Sequence, residues 1–184
     1  MTMMLDTNER RNHSDLPSGA TLQEAVLFLD RLVEEPAFLA SWLLPFLERA
    51  ERAEDWYVAR GHDAPDGSCS LQVFVWPPGT GTRIHDHSAW GAFRCALGCL
   101  LEDRYERLDD NSEPNHARLR RVWRRMWREE HGVSTVLPYE GGIHKMGNPG
   151  DEVAISVHIY GPRMSEVDGR DYDPSRDYVC DRQD

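Results

Sequence analysis

Lysine is all but missing from this chain: Lys145 stands alone against twenty arginines, a bias that reads as genome composition. Long apolar runs are missing too. No stretch approaches the run of about 18 apolar residues that spans a bilayer, which argues against a helical membrane protein. The polar start, Met1 to Leu16, has no apolar centre of the kind a secretory signal needs, so a cytoplasmic protein is expected. The four cysteines, Cys69, Cys95, Cys99 and Cys180, show no paired metal spacing such as Cys-x-x-Cys. They read as reduced thiols, with Cys95 and Cys99 on one side of an apolar strand. Positive charge is also short overall. The net charge of −11 argues against nucleic acid or an anionic membrane as partners. No internal repeat and no low-complexity segment is present.

What is there fits one domain. A length of 184 residues is enough to bury a core. Residues 1–20 are polar and are expected to be flexible, leaving 21–184 as a single domain. Helices are expected over about 21–52. Thr21 and Glu24 form a capping-box pattern, and Leu22, Ala25, Val26, Leu29, Leu32 and Val33 follow helical spacing up to Pro36. A second helix starts at Pro36, carries Phe38, Leu39, Trp42 and Leu43, and is bent or broken at Pro45. From about Asp55 the pattern turns to short strands with Gly, Pro, Asp and Asn between them, such as Leu71 to Trp76, Ala92 to Leu101 and Val153 to Tyr160. That punctuation predicts a mainly β fold, a sandwich or barrel over about 55–165, with 166–184 as a C-terminal extension. Residues 118–131 fit a helix or a strand, and strand is the reading adopted; their six arginines read as a solvated or acid-paired surface.

The chemistry gathers at His85-Asp86-His87. Histidines at i and i+2 share one face of a strand, and His144 on another strand can close a triangle of neutral nitrogen donors. Such a set leaves half of an octahedral ion open to small molecules, which a structural zinc site does not. Asp86, between them, projects from the opposite face and is placed to brace the sheet. His13, His62, His116 and His131 lie in polar contexts. The flanks carry Gly79, Gly81 and Gly98 around the first pair, and Gly132, Pro138, Gly141 and Asn148 around His144.

These two blocks resemble the two motifs of the cupin superfamily, antiparallel β-barrels of jelly-roll type that hold a metal in the barrel mouth. Cupins usually add a glutamate three or four intervening residues after the second histidine. Here those positions are Gly91 and Ala92, which leaves three histidines. That loss, together with Ser156-Val157-His158-Ile159-Tyr160, Ile84 to Gly91 and Gly142-Ile143-His144, resembles the thiol dioxygenases, the family of cysteine dioxygenase and 3-mercaptopropionate dioxygenase. The resemblance covers roughly residues 56–165. It implies Fe(II) on His85, His87 and His144, a small thiol and O2 as partners, and a sulfinic acid product, most simply cysteine sulfinic acid from L-cysteine. It also implies that Tyr160 offers its hydroxyl to the substrate or oxygen, with His158 orienting it and Ser156 behind. Animal members join that tyrosine to a cysteine near the position of Gly91 or Ala92, so no such crosslink is expected here, with Cys95 the nearest thiol in sequence.

Carboxylate recognition needs a guanidinium. In the cysteine-specific relatives an arginine lies upstream of the first ligand, where the 3-mercaptopropionate relatives have glutamine. Arg60 precedes His85 by 25 residues and is the candidate, which favours cysteine. Trp90-Gly91 looks closer to the mercaptopropionate group, and Arg163 and Arg170 are the other candidates. The competing readings are a non-catalytic cupin that binds a small molecule, and a cupin with another metal and reaction. A Ser-His hydrolase is disfavoured because mid-strand Ser156 sits on no exposed turn. A monomer or small homo-oligomer is expected.

Overall fold

The computed structural model describes residues 16, 18–47, 53–113, 115–173 and 178–181. The flexible N-terminus expected at 1–20 therefore falls mostly outside the described residues, as do the last residues of the expected helical stretch. Helix α1 spans Leu22–Leu32, and its capping box is made: the Glu24 amide donates to Thr21 Oγ1 and the Thr21 amide to the Glu24 carboxylate. A second segment, α2 (Pro36–Phe38), begins at the proline, widens into a π turn at Leu39–Leu43 and tightens to 3₁₀ at Leu44–Phe46 around Pro45. Proline sets both its start and its distortion, because it has no amide to give the preceding turn.

Eleven strands follow among the described residues. They are β1 (Tyr57–Asp63), β2 (Ser70–Trp76), β3 (Ile84–His85), β4 (Trp90–Leu97), β5 (Cys99–Arg107), β6 (Leu119–Arg128), β7 (Ser134–Val136), β8 (His144–Gly147), β9 (Ala154–Gly161), β10 (Arg170–Asp173) and β11 (Tyr178–Asp181). They form two antiparallel sheets, ordered β1-β2-β9-β4-β7 and β11-β10-β3-β8-β5-β6. The architecture is the expected mainly β one, drawn as two packed sheets rather than one closed barrel. Most of 118–131 does form a strand, β6, which ends at Arg128. Past residue 165, the described strands β10 and β11 join the second sheet. Among the described residues no helix is long and apolar enough to cross a membrane.

Strands β2 and β9 are buried on both faces, which is why they read as almost unbroken apolar runs. Leu71, Val73, Val75, Ile155, Val157 and Ile159 face outward and pack under α1 with Ala25 and Leu29. Arg94 of β4 pins the helix there, donating to the Asp30 carboxylate at 2.9 Å and to Glu34 at 3.1 Å. The alternate residues, including Phe74, Trp76, Phe93 and Cys95, face inward and meet Leu100, Trp127 and Met146 between the sheets. The site stands in that inner layer, where two-residue alternation delivers every other side chain of β2 and β9 to it.

Candidate metal centre

Register places the histidines. His85 lies directly opposite His144 where β3 pairs with β8, so the two rings come within 4.5 Å, centroid to centroid. Strand β3 ends at His85, yet the chain stays extended because the Asp86 amide donates to the Arg170 carbonyl and the Ser88 amide to the Asp168 carbonyl. His87 therefore keeps the side its i+2 spacing predicts, with its ring 6.1 Å from His85 and 5.7 Å from His144.

Each ring is anchored through Nδ1. His85 bonds the Arg83 carbonyl at 3.0 Å, His87 the Ala89 carbonyl at 2.7 Å, and His144 the Glu102 carboxylate at 3.1 Å. An acceptor on Nδ1 keeps the proton there and makes Nε2 the basic nitrogen, which is how histidine is prepared to ligate a metal. Burial, then the neighbouring His87 and Arg104, hold His144 well below the usual imidazole range, so it is neutral, the form that ligates. This donor set fits Fe(II) in chemistry. Its spacing is open: metal–nitrogen bonds of about 2.1 Å at right angles would put ring centroids roughly 4.5 Å apart. The His85–His144 pair has that separation and His87 stands wider. Accordingly, among the described residues no three His, Cys, Asp or Glu side chains are gathered tightly enough to grip an ion as they stand.

The facing sheet supplies the second half of the site. Ser156, His158 and Tyr160 alternate along β9 and form a line: Ser156 Oγ lies 2.7 Å from His158 Nε2, and His158 Nδ1 lies 3.0 Å from the Tyr160 hydroxyl. A donor stands behind it. The Trp76 indole can only donate, and it donates to Ser156 Oγ at 2.9 Å. With that bond made, the Ser156 hydroxyl still has a proton to give His158 Nε2, and in that tautomer His158 Nδ1 donates to the Tyr160 oxygen and the Tyr160 proton points forward. Phe74 and Phe93 clamp the His158 ring at 4.4 and 5.2 Å. Burial and the nearby His144 keep that imidazole well below its usual range, hence neutral. The Tyr160 ring stands edge-on to His87 at 5.4 Å.

Two contributors escaped the sequence reading, Trp76 and Glu102. Glu102 was visible as a carboxylate inside the apolar run Leu100-Leu101-Glu102, and a buried acid demands partners. It is fully buried and accepts from Arg104 Nε at 2.6 Å, Ser134 Oγ at 2.8 Å and Trp127 Nε1 at 2.9 Å, besides His144. Asp86 braces from the opposite face as expected, accepting from the Arg170 amide and guanidinium and from the Tyr172 hydroxyl.

The candidate carboxylate-binding arginines are not brought to the histidines. Arg60 lies on the outer side, its guanidinium 3.9 Å from the Trp42 ring centre, because it pairs with Val73, a residue of the helix-facing set. Arg163 pairs with Glu166 beside Gly67, and Arg170 is committed to Asp86. A thioether to Tyr160 would need a thiol opposite that ring. Gly91, not a cysteine, stands opposite Tyr160, and a Cβ there would already meet the tyrosine ring at 3.1 Å. Cys95 stands opposite Ser156, farther along the ladder.

Two antiparallel sheets, with His85, His87 and His144 facing the line of Ser156, His158 and Tyr160, form the arrangement expected of a cupin. Residues 53–174 match the family described as cysteine dioxygenase type I, and the chain belongs to that family. Similar solved structures include recombinant oxalate oxidase in complex with glycolate, at a TM-score of 0.43 and 19% identity over 55% of this chain and 46% of that one. Another is a Cupin 2 conserved barrel domain protein from Salinispora arenicola CNS-205, at a TM-score of 0.39 and 16% identity over 58% of this chain and 73% of that one. Family membership places the chain among thiol dioxygenases as a class.

Proposed function

We propose that this chain is an Fe(II)-dependent dioxygenase that inserts both atoms of O2 into the sulfur of a small thiol. The balance is R–SH + O2 → R–SO2H: the sulfur supplies all the electrons, both oxygens end on it, and no external reductant enters. The observation that carries the reading is the pairing of three Nδ1-anchored imidazoles with the directed Trp76–Ser156–His158–Tyr160 line across the cavity. His85, His87 and His144 would hold the ion. Bound there, Fe(II) would supply the redox centre for O2 and a cation that favours the thiolate form of the substrate. The chain's own part is positioning. Tyr160 donates a hydrogen bond into the cavity, neutral His158 fixes its direction, and the aromatic wall excludes water.

L-Cysteine as substrate rests on Arg60, which the fold turns outward, and no arginine among the described residues lines the inner cavity. The wide stance of His87 is also compatible with a cupin that binds without turning over. Anaerobic reconstitution with Fe(II), followed by O2 uptake and sulfinate detection with a panel of small thiols, decides between them. Uptake matched by sulfinate carrying both labelled oxygens from 18O2, and lost in His144→Ala, supports the dioxygenase. Full iron loading without uptake for any thiol selects the binding-only cupin.

A further inference from the structure

Strand β6 ends its sheet. Among the described residues it pairs with β5 alone, so the other side of its backbone, over Leu119–Arg128, meets no strand. Such an edge presents amides and carbonyls at the spacing a further strand would match. The side chains are as open as the edge. Arg120 to Arg125 are exposed without a break, and the run includes two large apolar residues, Val122 at 47% and Trp123 at 40%. A bulge sets Trp123 opposite Arg104 and Arg121 opposite Tyr105, which leaves Val122 opposite no residue of β5.

The charge of this strand runs against that of the chain. Residues 118–128 hold six arginines and no acid, in a protein of net charge −11. The chain's own acids satisfy only part of the set. Arg124 makes two bonds of 2.7 Å to Asp103, Arg121 stands 3.8 Å from the same carboxylate, and Arg120 pairs with Glu106. Arg118, Arg125 and Arg128 are exposed and make no ion pair among the described residues. The Arg125 guanidinium lies 4.1 Å from the Trp127 ring centre, and that of Arg104 lies 5.4 Å from the Trp123 ring centre. A free cation and the exposed indole are thus each held against a neighbour rather than left loose.

These features select an occupant. An edge guarded only against association carries charge without an exposed indole, whereas tryptophan and arginine together are where binding energy concentrates in interfaces. A second copy adding its own β6 would set arginine-rich strands side by side, like charge against like charge. A nucleic acid would answer the arginines but bring no strand amides to the edge, and the net charge of the chain would repel it. An extended acidic polypeptide answers both the edge and the charge. We propose that the open edge of β6 docks an acidic, extended segment of another protein, which adds as a further strand. Its carboxylates meet Arg118, Arg121, Arg125 and Arg128, and an apolar side chain between them covers Trp123. The inference is independent of the chemistry at the histidines.

The test is fluorescence anisotropy of the full chain with a labelled peptide of alternating glutamate and valine, as long as β6. Two controls accompany it: the same peptide with proline at every valine, and labelled oligouridylate. The glutamate–valine peptide should bind about tenfold tighter than either, because proline keeps the charge but cannot donate to a ladder. Its addition should slow hydrogen exchange at the β6 amides, a readout on the unaltered protein that no misfolded variant can confuse. Trp123→Ser should weaken binding about tenfold or more, and Arg121→Gln with Arg128→Gln severalfold. Equal binding of the proline peptide overturns the inference, since charge alone would then suffice. Tighter binding of oligouridylate overturns it in favour of a nucleic acid. A dimer in sedimentation of the protein alone, with its β6 amides protected, gives the edge to a second copy and overturns it as well. So does the absence of any binding.

Discussion

At Glu102 four donors converge on one buried carboxylate, and one of them is the ring of a proposed ligand. The charge is affordable there only because Arg104 lies against it and every oxygen is bonded. Its consequence is a His144 ring that cannot turn. Glu102→Gln keeps the shape but weakens the hold on Nδ1. Iron affinity, measured by competition with a chelator, should fall about 10–100-fold, as such outer partners usually require; unchanged affinity would show that His144 needs no brace. The Tyr160 line makes an ordered prediction. Tyr160→Phe should lower kcat by about 100-fold or more, and Trp76→Phe by about 10-fold, because the indole acts only through Ser156 and His158. Iron binding should stay normal in both, and equal effects would mean that Trp76 is more than an orienting donor. Cys95 should be inert. Burial pushes its thiol up to about 12, so alkylation of the folded protein should bypass it while labelling half-buried Cys99. The intact mass should show no loss of the two hydrogens that a thioether to Tyr160 would remove.

Strand β3 is only Ile84–His85, too short to hold two ligands in place by its own ladder. Asp86 makes up the deficit by clasping β10 through Arg170 and Tyr172, so the strand that was read as an extension is what fixes the first histidine pair. Removing one partner of a buried, bonded charge pair usually costs about 3–5 kcal/mol. Arg170 keeps some solvent, so Asp86→Ala should cost nearer 2–4 kcal/mol, about 5–15 °C in Tm for a chain of this size. Iron affinity should fall with it. A melting curve that matches the parent's would show that β10 does not support β3. This element also marks what the sequence could and could not reveal. Local periodicity was enough for the α1 capping box, the alternation in β2 and β9, the opposite-face placement of Asp86, and the shared side of His85 and His87. Residues such as Arg60 were harder: a bulge in β1 shifts the register between Val58 and Arg60, and no spacing along the chain reports which face a bulged strand presents. Strand β10 was hidden because its sequence, Arg-Asp-Tyr-Asp, looks like a loop. It is a strand through contacts with residues far away in sequence.

The inner layer between the sheets stores two neutral imidazoles, His144 and His158, in surroundings that disfavour their charge, and this couples stability to pH. Both have folded-state values well below the ordinary one, with burial the main cause. In the unfolded chain each titrates near about 6.5. Below that pH the unfolded state binds protons that the folded state refuses, so stability is full above about pH 7 and falls as the pH drops. With two such groups the limiting slope is about 2.7 kcal/mol per pH unit. The carboxylates add their share only at lower pH. Against its desolvation, the Arg118 amide and the Arg107 guanidinium hold Asp109 down to about 2, and Arg124 lowers Asp103. Urea unfolding of the chelator-treated protein at pH 7.5, 6 and 5 should therefore show the midpoint falling steeply across the imidazole range. His158→Gln should remove about half of that slope. A midpoint that holds steady from pH 7.5 to 5 would mean that one or both rings accept a proton inside the fold. A Tyr160 line oriented by a neutral His158 would then have to be abandoned.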